Sequence, residues 1–179
     1  YRGFNEDGVG RRVFDGILPF VSGSRVGTIA MTPFAHCTRY PRRHEDHLYP
    51  GDQFPFAYGT IHDPVSGRTD GILARSLASG TVPKVLHVDT DSEIWSARAS
   101  LLATDTNGAD LAQPDNVRLY LANGVPHGPF PLSPVVASQK SNRLSYHFLA
   151  RALVAAMREW IEHGVEPPPG RFPSRADGT

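Results

Sequence analysis

Cysteine is almost missing from this chain of 179 residues, where Cys37 stands alone. A single thiol forms no internal disulfide, so a disulfide-stapled scaffold is excluded, while secretion is neither implied nor excluded. An excess of charge of one sign is missing too: 18 basic side chains face 18 acidic ones. That balance removes the electrostatic case for wrapping nucleic acid or lying on an anionic membrane surface. No apolar run approaches the roughly 20 residues of a bilayer span, so a membrane-spanning reading fails. There is no basic-then-apolar leader, residue 1 is Tyr, and Asp177-Gly178-Thr179 ends the chain in mid-phrase; the expectation is a processed or incomplete chain.

What is abundant is turn chemistry. The 17 glycines and 16 prolines make up about 18% of the chain, against roughly 12% on average, which predicts long irregular connections between few regular elements. Four regions follow. Residues 1–24 form a core segment whose apolar stretch Gly16–Val21 reads as a buried strand, with Pro19 as its weak point. Residues 25–83 are studded with Pro and Gly and read as a loop-rich insertion; its aromatics Tyr40, Tyr49, Phe54, Phe56 and Tyr58 supply apolar surface that a linker lacks. Within it, Gly71–Ser79 predicts a short helix presenting Ile72, Leu73, Ser76 and Leu77 on one face, stopped by Gly80.

Residues 84–164 are the most regular. Val85–Asp89 is a β-branched apolar run that predicts a strand; Thr90–Trp95 follows as an acidic loop, and Ala97–Ala103 as a short helix. Val117–Ala122 alternates like a strand and leads into Asn123-Gly124-Val125-Pro126-His127-Gly128-Pro129. Ser145–His163 predicts the longest helix, since Phe148, Leu149, Ala152, Leu153, Ala156, Met157, Trp160 and Ile161 recur at spacings of three and four. Gly164 supplies a left-handed cap, and Pro167-Pro168-Pro169 ends the helix before a tail over 165–179.

Strand, acidic loop, helix, strand, histidine loop and long helix in this order describe one end of an open α/β sheet, where ligands collect beyond the carboxyl ends of the strands. His127 follows the second of these strands; Asp89, Asp91 and Glu93 follow the first. An imidazole with a carboxylate to fix its tautomer is an acid–base pair, and any of the three acids could orient it. The bland counterpart is a surface histidine and a set of helix caps. No Gly-x-Ser-x-Gly occurs, so the chain offers no nucleophile of that kind. His44-Glu45-Asp46-His47, with His36 and Asp52 nearby, has metal-ligand residue types without a third spaced ligand, and charge pairing within the insertion is the better reading. Cys37 reads as a small buried hydrophobe. Neither a metal nor a cofactor is expected.

Several phrases resemble a known family, the bacterial alpha/beta hydrolase domain-containing proteins. They are Gly3-Phe4-Asn5-Glu6-Asp7 with Gly10-Arg11-Arg12-Val13-Phe14-Asp15-Gly16, His47-Leu48-Tyr49-Pro50-Gly51-Asp52-Gln53-Phe54-Pro55-Phe56, and Ser92-Glu93-Ile94-Trp95 with Ala99-Ser100-Leu101. Pro114-Asp115-Asn116-Val117-Arg118-Leu119-Tyr120 and His127-Gly128-Pro129 complete the set, in family order over nearly the whole chain.

The resemblance implies the C-terminal portion of an α/β-hydrolase sheet, with residues 25–83 as a cap-like insertion between its sixth and seventh strands. It implies an esterase-type serine hydrolase whose nucleophile lies upstream of Tyr1. Glu93 would be the acid and His127 the histidine, with Asp89 and Asp91 as rivals to Glu93. Tyr49, Phe54 and Phe56 would lie partly around the site, the substrate would be a small-molecule ester, and the upstream half of the same domain would be the chain's partner. The competing reading is a non-catalytic binding or structural module on the same fold. A metal-dependent hydrolase built on His44–His47 ranks third.

Overall fold

A computed structural model of the chain describes residues 5–24, 54–128 and 144–178. Its central feature is a parallel sheet of three strands in the order β1 (Gly16–Ile17), β4 (Lys84–Thr90) and β5 (Val117–Ala122). β4 is the middle strand and is buried from Val85 to Thr90, which is why its sequence is a nearly unbroken apolar run. Along β4 and β5 the pairing runs from Val85 opposite Val117 to Thr90 opposite Ala122.

The strand expected over Gly16–Val21 is shorter in the structure. Two residues pair with Lys84 and Val85, and after a break at Leu18-Pro19 the chain returns to β4 through a single bridge between Phe20 and Val88. Proline has no N–H to give to the ladder, although the Pro19 carbonyl accepts from Val88 N–H at 3.0 Å.

Alternation along β4 divides the core in two. Val85 faces one side with Val117 and Leu119, against Tyr58, Leu73, Ala99 and Leu102. Leu86 and Val88 face the other with Tyr120, against Leu153, Met157 and Trp160. The last three belong to α3 (His147–His163), which ends at Gly164 with φ +71°. The apolar stripe that the structure buries on this helix is narrower than its sequence periodicity: Phe148 is 80% exposed and Ile161 is also exposed, because the three described strands cover only part of the helix circumference.

Between β1 and β4 the described chain forms a small antiparallel hairpin, β2 (Ile61–Asp63) and β3 (Arg68–Asp70). Next comes α1 (Ala74–Ala78), inside the predicted Gly71–Ser79. Leu73 and Ser76 are buried as expected, but Leu77 is 67% exposed, a correction to the predicted face. Five residues make little more than one turn, too short for a full apolar stripe. Residues 165–178 pack back on the sheet: Arg171 N–H donates to Leu119 O and Leu121 N–H to Arg171 O, both at 2.8 Å. This segment covers the outer edge of β5, and Phe172 joins the first core cluster. Among the described residues, no helix is long and apolar enough to cross a membrane.

Candidate functional site

The acidic stretch after β4 is a helix, α2 (Asp91–Ser96), where the sequence suggested a loop. Thr90 is its N-cap and Glu93 stands three residues on, closing a capping box. Thr90 N–H donates to Glu93 Oε2 at 2.8 Å and Thr90 Oγ1–H to the same oxygen at 2.6 Å. Thr-x-x-Glu is the signal that could have revealed this helix; six residues long, with Ile94 and Trp95 adjacent, it carries no apolar period. The helix expected over Ala97–Ala103 contracts to one 3-10 turn, Ala99–Leu102.

With Oε2 engaged, Oε1 of Glu93 points to the histidine loop. It lies 2.5 Å from His127 Nδ1, a short charge-assisted hydrogen bond. The pair is asymmetric in exposure: the Glu93 side chain is 1% exposed and the His127 side chain 64%. The carboxylate is therefore rigid and dry while the ring reaches solvent, and with Nδ1 bound, Nε2 is the nitrogen available to a reacting group.

The loop that carries His127 is held at other points. Gly124 N–H donates to Asp91 Oδ2 at 2.6 Å, so α2 grips the exit of β5 through its first residue. Gly124 has φ +72°, which lets the chain turn sharply behind the strand. Tyr146 Oη, just before α3, donates to the His127 carbonyl at 3.4 Å, and its ring stacks on Phe20 with centroids 5.9 Å apart. Sequence reasoning missed Tyr146, whose position ahead of a helix carries no motif.

The three candidate acids thus occupy three different places. Glu93 meets His127, Asp91 binds the loop backbone, and Asp89 is fully buried beside another histidine, with Oδ2 at 3.0 Å from His87 Nε2. Among the described residues, Glu93 is the acid of this set that touches the imidazole of His127. Phe54 is buried and Phe56 half-buried, with ring centroids 6.2 Å apart in an edge-on contact. Tyr49, Cys37, His36, His44, Glu45, Asp46, His47 and Asp52 lie outside the described residues. Among those described, no cluster of three or more His, Cys, Asp or Glu side chains could hold a metal ion.

An acid fixed after the middle strand of a parallel sheet and a histidine after the next strand fit the order read from the sequence. The alpha/beta hydrolase domain family model matches residues 1–179. The chain belongs to the alpha/beta hydrolase domain family. No curated protein and no solved structure matches it. Family membership agrees with the parallel sheet and its mixed helices, and the chain is a hydrolase-fold protein on that ground.

Proposed function

We propose that the protein hydrolyses carboxylic esters as a serine hydrolase, with His127 as general base, Glu93 as its orienting acid, and a nucleophilic serine supplied from outside residues 1–179. The contact between Glu93 Oε1 and His127 Nδ1 at 2.5 Å carries this reading. A buried carboxylate on Nδ1 keeps the proton there and turns the lone pair of Nε2 outward. It also stabilises the imidazolium formed when Nε2 takes a proton.

In the proposed cycle, Nε2 of His127 accepts the serine hydroxyl proton as the oxygen attacks the ester carbonyl. The tetrahedral intermediate collapses, and the imidazolium gives that proton to the departing alcohol. Water then enters, is deprotonated by the same Nε2, and releases the acid from the acyl-enzyme. Both oxyanion-hole donors would come from outside this chain: one is the amide after the nucleophile, the other belongs to an earlier loop. Chemistry of this kind uses no cofactor.

The test is fluorophosphonate labelling of the intact protein, read by intact mass and peptide mapping. The expected result is one label on a serine outside residues 1–179, lost in parallel with ester turnover. In the same protein His127→Ala should lower turnover by roughly 10⁴- to 10⁶-fold with the fold intact; a folded mutant that keeps its turnover overturns the assignment. The second reading, a non-catalytic module, is favoured by one observation: Gly-x-Ser-x-Gly is absent from the sequence. Well-folded intact protein that takes no label would support it.

A further inference from the structure

The middle strand β4 carries a second polar cluster that the proposed mechanism does not use. His87 and Asp89 are two apart on β4, so both side chains leave the same face of the sheet, and both are fully buried. Tyr58, from the insertion, places Oη 2.7 Å from His87 Nδ1. Burial, then the Asp89 charge, raise the Tyr58 pKa, so the phenol keeps its proton within this hydrogen bond. Ser22 Oγ stands 3.3 Å from His87 Nε2, and Asp89 Oδ1 accepts Gly23 N–H at 3.0 Å.

Ser22, His87 and Asp89 are the residue types of a hydrolytic triad, but they are wired differently. In a triad the nucleophile and the acid sit on opposite ring nitrogens. Here Ser22 and Asp89 share Nε2 and Tyr58 holds Nδ1. Asp89 Oδ2, although 3.0 Å from Nε2, receives no aligned hydrogen bond among the described residues. A fully buried carboxylate in that condition is costly to keep. Its well-formed bond is the one to Gly23, which points to the turn as what this carboxylate serves.

That turn is strained and tightly gripped. Val21 has φ +45° and Gly23 φ +57°, and a left-handed β-branched residue is an outlier that its surroundings must enforce. Val21 N–H donates to Val88 O at 2.8 Å and Ser24 N–H to Ala97 O at 3.1 Å, while Ser24 Oγ–H donates to Arg98 O. A Cβ on Gly23 would stand 2.4 Å from Ala97 O. The turn therefore presses on the residues that end α2, the helix that carries Glu93; Arg98 is itself left-handed with φ +53°.

We propose that Asp89, backed by His87 and Tyr58, is the positioning residue for the acid: it locks the Val21–Ser24 turn, and the turn locks α2 so that Glu93 Oε1 stays on His127 Nδ1. The inference rests on the functional reading above. Tyr58 ties the insertion into the same unit, so the cap-like region and the acid share one brace.

The test uses the intact protein with two readouts, steady-state kinetics and the NMR resonance of the His127 Nδ1 proton, which reports the Glu93 contact without needing turnover. Asp89→Ala should lower kcat by roughly 10- to 100-fold, the scale of a small misplacement of a reacting group. KM should stay within about twofold, and the Nδ1 proton resonance should shift or broaden beyond detection. Asp89→Asn, which retains an acceptor for Gly23 N–H, should recover most of both. If Asp89→Ala does not fold, Ser24→Ala tests the same brace by deleting the bond to the Arg98 carbonyl, with the same direction of change expected. A folded Asp89→Ala, or Ser24→Ala in its place, with wild-type kcat and an unshifted resonance overturns the proposal. A wild-type protein without ester turnover would sink the functional reading alone, and the resonance would still decide the brace.

Discussion

Glu93 serves two structures with its two oxygens. Oε2 takes the Thr90 N–H and hydroxyl and so starts α2, while Oε1 takes the imidazole. The sequence posed these as competing readings, helix cap or orienting acid, and in three dimensions they coincide. The two roles separate by substitution. Glu93→Gln retains a side chain able to complete the capping box, so its melting temperature should stay near wild type while ester turnover falls by roughly 10³- to 10⁴-fold. Glu93→Ala should show the same loss of turnover and, in addition, lose on the order of 1 kcal/mol of stability with the cap. Thermal melts of the two variants beside their kcat values make the comparison.

Asp63 gives a pH prediction at the same scale. Its carboxylate accepts Ser66 N–H at 2.8 Å and Thr106 Oγ1–H at 2.7 Å, and hydrogen bonding by the Ser66 hydroxyl first, then by Thr106 and the Ser66 amide, lowers its pKa from 3.8 to about 2. Because the folded value lies below the unfolded one, the stabilisation is fully present above about pH 4 and is lost as pH falls towards about 2. Asp63→Asn should therefore flatten the acid side of the melting-temperature profile in that window. An unchanged slope in a scan of melting temperature against pH would count against the assignment.

At the scale of elements, legibility followed length and apolar content. β5 occupies the predicted residues, β4 exceeds its prediction by one residue at each end, and α3 begins two residues late. Each has enough apolar side chains to display its period. α2 and the β2–β3 hairpin escaped because six residues with only Ile94 and Trp95 apolar, and two three-residue strands, are too short to show a period; their signals were the capping box and the turn at Ser66-Gly67, where Gly67 has φ +67°.

Two glycines show where elements touch. A Cβ on Gly16 would meet the Met157 sulfur at 2.5 Å and Ile161 Cδ1 at 2.8 Å, both ends of flexible side chains. A Cβ on Gly71 would meet the Gly59 carbonyl oxygen at 2.5 Å and the Thr60 nitrogen at 2.8 Å, which is backbone. Gly16→Ala should cost about 1–3 kcal/mol by overpacking, and Gly71→Ala more, because two backbone segments must part. Denaturant unfolding of both variants checks the order.

Trp160 is the largest residue that α3 buries against the sheet. Lys84 Nζ and the Arg118 guanidinium lie 5.1 Å and 5.3 Å from its ring centroid, and Lys84 Nζ also donates to the Trp160 carbonyl. Trp160→Ala should cost about 3–5 kcal/mol, measured as a lowered denaturant midpoint.

At the scale of the whole molecule, the sheet is covered along one edge and, among the described residues, open along the other. The segment around Arg171 covers β5, whereas β1 pairs with β4 alone among the described residues. Large apolar side chains are exposed as well, Phe14 at 60% and Phe148 at 80%. Unpaired strand edges and exposed apolar area favour association. Residues 1–179 alone should self-associate. Sedimentation and calorimetry check this; a monomeric, cooperative melt of the isolated chain would contradict it.

The sequence by itself determined the parallel strands, the long helix, the family, and the candidacy of His127 with Asp89, Asp91 and Glu93, because these follow from local period, turn residues and short phrases. Only the tertiary structure decided which carboxylate meets the imidazole. Strand register and the capping of α2 send Glu93 to His127, Asp91 to the Gly124 amide, and Asp89 into the buried cluster with His87 and Tyr58. Acids two and four residues apart look alike in a sequence, and they part company only when a strand ends, a helix begins, and each side chain acquires its own direction.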